Sequence, residues 1–185
     1  MAKINFKPGN MLYPLPAVMV SVGKEKANII TIAWCGTICS NPPMVSISVK
    51  KERYSHDLIE EFCDFVINLT TEELAFVTDY CGVKSGKDID KFKVCNLHKQ
   101  EFKNIKSVGI LESPVNIGCK IIEKKELGSH DMFIAQVEEV YVDDKYIDEN
   151  EVFHLEDTKL ITYSHGHYYK IGDEIGRFGY SVKKK

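Results

Sequence analysis

Two stretches of this chain concentrate the basic and hydroxyl side chains that proteins use to bind phosphate groups. The first stretch, 50–56, follows a predicted strand and leads into a predicted helix, and the second, 85–92, lies in a polar segment. Free backbone N–H groups at a helix start, with nearby Arg, Lys and Ser side chains, form charge-assisted hydrogen bonds to a phosphate monoester. The two stretches therefore predict a phosphate site. The alternative is that Lys50, Lys51 and Arg53 are solvated charges on a loop.

The stretch 34–40 places the only tryptophan of the chain, Trp34, beside small and hydroxyl residues. It is predicted to be a turn that follows a strand. Small residues let backbone amides approach a flat ligand, and amides hydrogen-bond the carbonyls and ring nitrogens of a planar heterocycle. The stretch predicts a site for a planar ring. The alternative is that Trp34 is a core residue and Gly36 marks a β-bulge.

Three histidines are candidates for chemistry. His130 follows a Gly-Ser turn and is a candidate proton donor or substrate contact, although most isolated histidines are not ligands. His165 and His167 flank Gly166, but no third ligand group lies near them in the sequence, so we expect a solvated loop rather than a metal site. No metal site is predicted anywhere in the chain.

The six cysteines are scattered and form no CxxC motif, which predicts free thiols in a reducing compartment. The spacing of Cys35 and Cys39 does not suit a disulfide exchange pair. The sequence also lacks a GxSxG motif, a P-loop and a GxGxxG motif, so serine hydrolases, P-loop NTPases and Rossmann enzymes have no support.

The composition excludes two further classes of protein. Lys and Arg number 24 against 27 Asp and Glu, which leaves no basic surplus for a nucleic-acid backbone. No segment approaches the 18 or so apolar residues of a membrane helix, and the N-terminus lacks the apolar run of a secretory signal. We expect one cytoplasmic domain spanning residues 1–185, with neither nucleic acid nor membrane as a partner.

Hydrophobic periodicity predicts a chain made mainly of short strands. Residues 17–22 and 28–34 flank a Gly-containing turn and predict a hairpin. Strict alternation predicts a strand over 44–50 with Val45, Ile47 and Val49 on its core side. Two long strands, 115–126 and 130–142, are expected to pair as an antiparallel hairpin, with Ile134 on the solvent side. A last short strand is expected at 160–163.

Two helices are predicted between the strands. Ser55 is a plausible N-cap for a short amphipathic helix. Thr70 and Glu73 have the spacing of a capping box, which predicts a second helix over about 71–81 that stops at Gly82. The segment 83–97 is expected to be a functional loop with one helical turn. Together these elements predict a closed or nearly closed antiparallel barrel with helical cover.

The chain resembles the flavin reductase-like, FMN-binding split-barrel family, and within it the flavoredoxin branch. The resemblance extends over nearly the whole chain and rests on segments that follow one another in the family's order. These segments are Pro16-Ala17-Val18, residues 28–34, Asn41-Pro42-Pro43, Arg53-Tyr54-Ser55, residues 64–69, Ser85-Gly86 with Asp90-Lys91-Phe92, Gly128-Ser129-His130 and the Gly-rich tail.

The resemblance implies a mainly β fold, a six-stranded antiparallel Greek-key split barrel with short covering helices. It also implies a homodimer with one non-covalent FMN per subunit near the dimer interface. The flavin ring and ribityl chain would be held by Asn28, Thr31, Ala33, Trp34, Cys35, Gly36 and Thr37. The phosphate would be surrounded by Lys50, Arg53, Tyr54, Ser55, Ser85, Gly86, Lys91 and Phe92.

The implied activity is that of a flavin-dependent oxidoreductase or electron-transfer protein of the flavoredoxin type, with His130 as the catalytic candidate. Relatives that take hydride directly from NAD(P)H often carry Gly-Asp-His where this chain has Gly128-Ser129-His130. That difference favours electron exchange with a redox protein partner. The alternatives are an NAD(P)H-dependent reductase that releases reduced flavin, a non-catalytic FMN-binding module, and a barrel that has lost its flavin and serves as an interaction protein.

Overall fold

The computed structural model describes residues 1–182, and β-strands make up most of its regular structure. The strands are β1 (Leu15–Pro16), β2 (Val18–Val22), β3 (Asn28–Ile32), β4 (Cys35–Ser40), β5 (Pro43–Lys50), β6 (Asp64–Leu69), β7 (Lys99–Gln100), β8 (Gly109–Ile110), β9 (Val115–Leu127), β10 (His130–Val142), β11 (Ile161–Ser164) and β12 (His167–Lys170). The helices are α1 (Tyr54–Phe62), α2 (Ala75–Val83) and α3 (Lys91–Val94), with 3-10 turns at Asp144–Tyr146, Leu155–Thr158 and Tyr180–Val182.

A seven-stranded antiparallel sheet in the order β3-β2-β6-β9-β10-β5-β4 forms the body of the fold. The mainly β class predicted from the sequence is confirmed, although the main sheet has seven strands instead of six. A small sheet, β1-β11-β12, lies beside it, and β7 pairs with β8. No helix among residues 1–182 is both long enough and apolar enough to cross a membrane.

The predicted hairpins are confirmed. β2 pairs with β3 from Val18 opposite Ile32 to Val22 opposite Asn28. β9 and β10 pair along their whole lengths through the turn at Gly128, which has a φ of 77° that favours glycine. His130 is therefore the first residue of β10, where it lies opposite Lys50, the last residue of β5.

The hydrophobic core fills the space inside the curled sheet. It contains the predicted inward residues of β5 together with Phe65, Phe133 and Ile59, and all of these side chains are buried. A second cluster on the outer side of β2 and β3 lies under α2 and α3 and contains Met19 and Ile29. Because β2 is covered on both sides, all five of its residues are apolar or small and all are buried.

Both helices begin at different residues from those predicted. Arg53, not Ser55, occupies the N-cap of α1, and Ser55 is buried in the first turn. Helix α2 begins at Ala75 because the Thr70 hydroxyl hydrogen-bonds the Ala17 carbonyl instead of capping a helix. Gly82 lies inside α2, which ends one residue later. The side chains of Ser55 and Thr70, which were predicted to cap helices, are instead hydrogen-bonded to residues distant in sequence.

Two further predictions are wrong. The stretch predicted to be a turn after Trp34 is strand β4, which pairs with β5, and only Ala33 and Trp34 form a bend. Ile134 is buried rather than solvent-facing, because the register of β10 against β9 shifts between Ile134 and Ala135. Such a shift breaks the simple alternation of faces along a strand.

Candidate functional site

Two adjoining cavities lie where β3, β5, α1 and α2 meet, and they share Ile30, Arg53 and Gly82 in their walls. We call them the large cavity, about 400 Å³, and the polar cavity, about 310 Å³. The polar cavity is lined by Asn28, Ile30, Glu52, Arg53, Tyr54, Ser55, Cys81, Gly82, Lys84, Ser85, Gly86 and Lys91. The large cavity is lined by Tyr13, Ala17, Ile30, Thr31, Ile32, Ala33, Trp34, Ser48, Val49, Lys50, Arg53, Asp79, Gly82, Val83, His130, Tyr163 and Tyr168.

Asn28 organises one wall of the polar cavity. Its side-chain Nδ2 donates a 2.8 Å hydrogen bond to Oγ of Ser55, and both side chains are buried. Gly86 lies against the same amide, since a Cβ at position 86 would stand 2.1 Å from Asn28 Oδ1. A side chain at position 86 would therefore displace Asn28. The glycine lets the 85–86 backbone close the cavity over β3.

Arg53 and Ser85 come from separate segments of the chain and line the same cavity. Arg53 is exposed at the start of α1, and its Nη1 donates a 3.4 Å hydrogen bond to the Gly82 carbonyl, which orients the guanidinium. Ser85 follows α2, and its Oγ accepts a hydrogen bond from the backbone N–H of Lys87 at 3.2 Å. The hydroxyl proton of Ser85 is free to point at an anion.

Lys91 lines the polar cavity but is already engaged with the protein. Its Nζ donates to the carbonyl of Ile29 at 2.6 Å and to the carbonyl of Cys81 at 2.7 Å. The side chain is buried, and burial lowers its pKa, with the nearby Arg53 charge acting in the same direction. An ammonium group has three N–H donors, so one remains for a ligand. Lys91 belongs to α3, so its two hydrogen bonds link that helix to β3 and to α2 beside the cavity.

Trp34 and His130 form one wall of the large cavity. Their ring centroids are 4.5 Å apart and their planes are inclined by 38°. Trp34 remains 40% exposed, so it is not the core residue that the alternative interpretation expected. Burial lowers the pKa of His130, and the positive charge of Lys50 lowers it further. The lowered pKa favours the neutral form of His130 at pH 7, and its Nδ1 lies 2.9 Å from the Ser129 hydroxyl.

Three tyrosines and a carboxylate form another wall of the large cavity. Tyr163 and Tyr168 pack edge to face with their centroids 5.6 Å apart. The Tyr168 hydroxyl donates a 3.2 Å hydrogen bond to Asp79 of α2, which joins the small sheet to that helix. Burial, with the negative charge of Asp79, raises the pKa of Tyr168 to about 12, so this hydroxyl stays protonated.

The remaining predicted ring contacts divide into two groups. Thr31 and Ala33 line the large cavity, and the Thr31 hydroxyl hydrogen-bonds the Thr78 carbonyl of α2. Cys35, Gly36 and Thr37 line neither cavity, because they belong to β4 on the far side of the Trp34 bend.

Two predicted phosphate contacts also differ from expectation. Lys50 lines the large cavity, not the polar one, and its Nζ lies 3.5 Å from Glu52. Phe92 is buried in the second core cluster and lines neither cavity. An aromatic residue at the start of a short helix is more readily explained by packing than by ligand contact, and that is the position that Phe92 occupies.

Sequence reasoning missed the tyrosine wall and the residues of α2 that face the cavities. Asp79, Gly82 and Val83 have the spacing of one helix face, and this is the only local signal that groups them. Tyr163 and Tyr168 reach the cavity through the pairing of β11 with β12. Nothing in the local sequence shows that this small sheet lies beside β3.

The thiols do not contribute a reactive group to the cavities. Burial raises the pKa of Cys35 to about 12, and burial with the neighbouring Cys95 does the same for Cys81. Burial also raises the pKa of Cys119 strongly. Thiolates are the reactive form of cysteine, so these three side chains are inert near neutral pH.

Three comparisons identify known proteins to which the chain is similar. The family model described as "Flavin reductase like domain" matches residues 11–172. The flavoredoxin of Desulfovibrio vulgaris (Miyazaki F) superposes with a TM-score of 0.90 and 25% identity, over 98% of this chain and 100% of that one. An uncharacterised protein of Archaeoglobus fulgidus is 30% identical over 74% of this chain and 77% of its own length.

A protein that extends beyond the matched region is also similar. The high molecular weight rubredoxin of Moorella thermoacetica is 28% identical over 57% of this chain and 45% of its own length. More than half of that protein therefore has no counterpart in the matched region.

Proposed function

The chain belongs to the flavin reductase-like domain family, and we propose that it binds FMN and passes reducing equivalents through it. The observation that carries this proposal is the junction of the two cavities at Arg53: a polar cavity suited to a phosphate adjoins a larger cavity with aromatic walls. We further propose that residues 1–185 act as one FMN-binding domain.

The polar cavity suits the phosphate group. Arg53 brings a fixed positive charge, Ser85 brings a free hydroxyl, and Lys91 brings one N–H that its two carbonyl partners do not use. Removing one partner of a charged hydrogen bond of this kind weakens binding by about 1.5 to 3 kcal/mol. Asn28 and Ser55 are already hydrogen-bonded to each other, so little side-chain freedom would be lost on binding.

The large cavity suits the planar ring. A bound flavin supplies the redox chemistry, accepting two electrons as a hydride or electrons singly. The protein contributes a Trp34–His130 wall, a tyrosine wall and backbone groups of β3 between them. A neutral His130 offers a hydrogen bond to a donor molecule without adding a fixed charge beside the ring.

Electron exchange with a protein partner is the favoured route. Trp34 is partly exposed at the rim of the large cavity, so a ring held there would have an edge near the surface. The similar proteins named flavoredoxin and high molecular weight rubredoxin support such a role. The proposed partner is therefore a small redox protein.

A second candidate is an NAD(P)H-dependent flavin reductase. The tyrosine wall favours it, because aromatic side chains opposite the Trp34–His130 wall suit a second planar ring such as nicotinamide. The two candidates differ in whether NADH or NADPH alone reduces the bound flavin.

We also propose that the protein is a homodimer. Large apolar side chains of both terminal segments are exposed in the single chain, among them Phe6, Leu12, Ile175 and Phe178. Exposed apolar groups of this number favour burial against a second copy. Light scattering should then give about twice the 21.1 kDa of the chain, and a mass equal to that of one chain would contradict the dimer.

The test of the redox proposal begins with the visible spectrum of the purified protein. We expect a flavin spectrum as isolated or after addition of FMN. Anaerobic mixing with reduced rubredoxin or ferredoxin should bleach it within seconds, and with NADH or NADPH only slowly. Rapid bleaching by NADPH alone would select the reductase. A protein that takes up no flavin would overturn the proposal.

A further inference from the structure

A buried carboxylate–imidazole pair is formed by two residues that are neighbours in sequence of residues lining the two cavities. Asp131 follows His130 in β10, and because side chains alternate along a strand, it points to the other face of the sheet. There its Oδ2 lies 2.8 Å from Nε2 of His56, which belongs to α1. The side chains of His56 and Asp131 are 7% and 2% exposed. The function proposed above assigns no role to this pair.

The pair is held in place by packing and by polar contacts. The His56 ring packs edge to face on Phe133, with the centroids 5.4 Å apart. His56 Nδ1 and Asp131 Oδ1 are also buried, and within residues 1–182 their nearest charged neighbours are Asp57 at 3.5 Å from Nδ1 and Lys51 at 3.3 Å from Oδ1. Burying polar groups is costly unless they are paired, and the bond between Nε2 and Oδ2 is the shortest contact that compensates both groups at once.

The charges around the pair argue against a metal ion. Ligand atoms of His56, Glu60 and Asp131 lie within 4.8 Å of one another, close enough to hold a cation. However, Lys51 Nζ stands 3.3 Å from Asp131 Oδ1, and Lys124 Nζ stands 2.5 Å from Glu60 and 3.9 Å from Asp131. Two ammonium groups already occupy the space and neutralise the carboxylates.

Each member of the pair adjoins a residue of a different cavity. His56 follows Ser55, whose hydroxyl lines the polar cavity and accepts from Asn28. Asp131 follows His130, which lines the large cavity beside Trp34. The hydrogen bond between His56 and Asp131 therefore joins the first turn of α1 to the beginning of β10.

We propose that Asp131 and His56 are positioning residues that hold the first turn of α1 in register with the two cavities, and so set the preference for a phosphorylated flavin. Without the bond, α1 would keep its apolar contacts through Ile59, but its first turn would lose its anchor to β10. The inference rests on the proposed function, because the ligand whose phosphate is selected is FMN.

The experiment measures the affinities of FMN and riboflavin, which differ only in the phosphate. The readout is the dissociation constant of riboflavin divided by that of FMN, measured on the full-length protein, so that a lower ratio means a weaker preference for FMN. We expect Asp131→Ala and His56→Ala each to lower the ratio by roughly tenfold, with riboflavin affinity changed less than twofold. The double variant should lower it no further, because both changes remove the same bond.

Asp64→Ala is the matched control. Asp64 is a buried carboxylate of β6 that accepts from the backbone N–H groups of Lys106 and Ser107 and lines neither cavity. This variant should lose stability and keep the ratio. If Asp131→Ala does not fold, Asp131→Asn preserves the shape and should lower the ratio by more than twofold.

The outcomes separate the two proposals. Wild-type protein that binds FMN and riboflavin equally would overturn the proposed phosphate site and this inference with it. Wild-type protein that prefers FMN, with the same ratio in folded Asp131→Ala or Asp131→Asn, would overturn the positioning role alone. An equal fall of the ratio in Asp64→Ala would also overturn it, since the effect would then follow from general destabilisation.

Discussion

The two cavities share a wall but are built in opposite ways. The side chains of the polar cavity are tied to the protein before any ligand arrives, through the Asn28–Ser55 bond and the two carbonyl contacts of Lys91. The aromatic side chains of the large cavity are held instead by packing in the Trp34–His130 and Tyr163–Tyr168 pairs, with the Tyr168–Asp79 hydrogen bond beside them. The difference indicates that affinity resides in the polar cavity and reactivity in the large one. The predictions below test that division.

Arg53→Ala should have the largest effect on affinity. Loss of a charged hydrogen bond costs about 1.5 to 3 kcal/mol, so FMN should bind about 10- to 150-fold more weakly while riboflavin binding is unchanged. Lys87→Ala, an exposed cation in the same loop as Ser85 that lines neither cavity, should have no effect. Fluorescence titration measures both. Unchanged FMN affinity in Arg53→Ala would contradict the division.

Gly86→Ala should weaken FMN binding by about tenfold. The new methyl group would stand 2.1 Å from Asn28 Oδ1, and the shift it forces would break the buried bond to Ser55. Gly36→Ala is the control, because a Cβ there meets no atom within 4 Å. Equal losses in the two variants would show that the β4 glycine contacts the ligand after all.

His130→Ala should leave the FMN dissociation constant within about twofold and slow flavin reduction several-fold. The reason is that His130 borders the large cavity and takes no part in the polar one. Stopped-flow absorbance gives the rate, and His167→Ala, an exposed histidine of β12, serves as the control. An unaltered rate would leave His130 as a packing partner of Trp34.

Asp131→Asn should change the pH dependence of stability, in addition to the change in flavin preference expected above. Burial raises the pKa of Asp131, but hydrogen bonds from His56 and Lys51 and the nearby charge of Lys51 outweigh it and hold the pKa below its usual value. Lys124, Glu60 and Glu126 also surround this group. An ionised Asp131 therefore stabilises the fold above about pH 4, and this contribution is lost as the pH falls through the depressed pKa.

Denaturant unfolding of wild type and Asp131→Asn between pH 7 and pH 2 measures this effect. The gap in unfolding free energy between the two proteins should be constant above about pH 5 and shrink below about pH 4. Asp173→Asn, an exposed carboxylate near the C-terminus, should show no gap. A gap that persists at pH 2 would mean that the ionised carboxylate is not what stabilises the fold.

The sequence was most informative where a signal is local. Alternation over Val45, Ile47 and Val49 identified the inner side of β5, and the Gly128 turn identified the β9–β10 hairpin. Both basic segments that the sequence singles out contribute residues to the polar cavity. Arg53 and Ser85 do line one cavity, although the helix start was assigned to the wrong residue.

The sequence was least informative where a tertiary contact decides. Thr70 has the spacing of a cap but bonds Ala17 across the sheet, and Lys91 resembles a free cation but is buried against two carbonyls. Phe92 is beside Lys91 and belongs to the core. The His56–Asp131 bond joins residues 75 positions apart, and no local pattern marks either partner.

Trp34 provides the most direct measurement, because it is the only tryptophan of the chain and it lines the large cavity. Titration of wild-type protein with FMN and with riboflavin should quench its fluorescence in both cases, and half-quenching should require at least about tenfold less FMN than riboflavin. Quenching by neither ligand, or by both at the same concentration, would contradict the account that a phosphate in the polar cavity places a flavin ring beside Trp34.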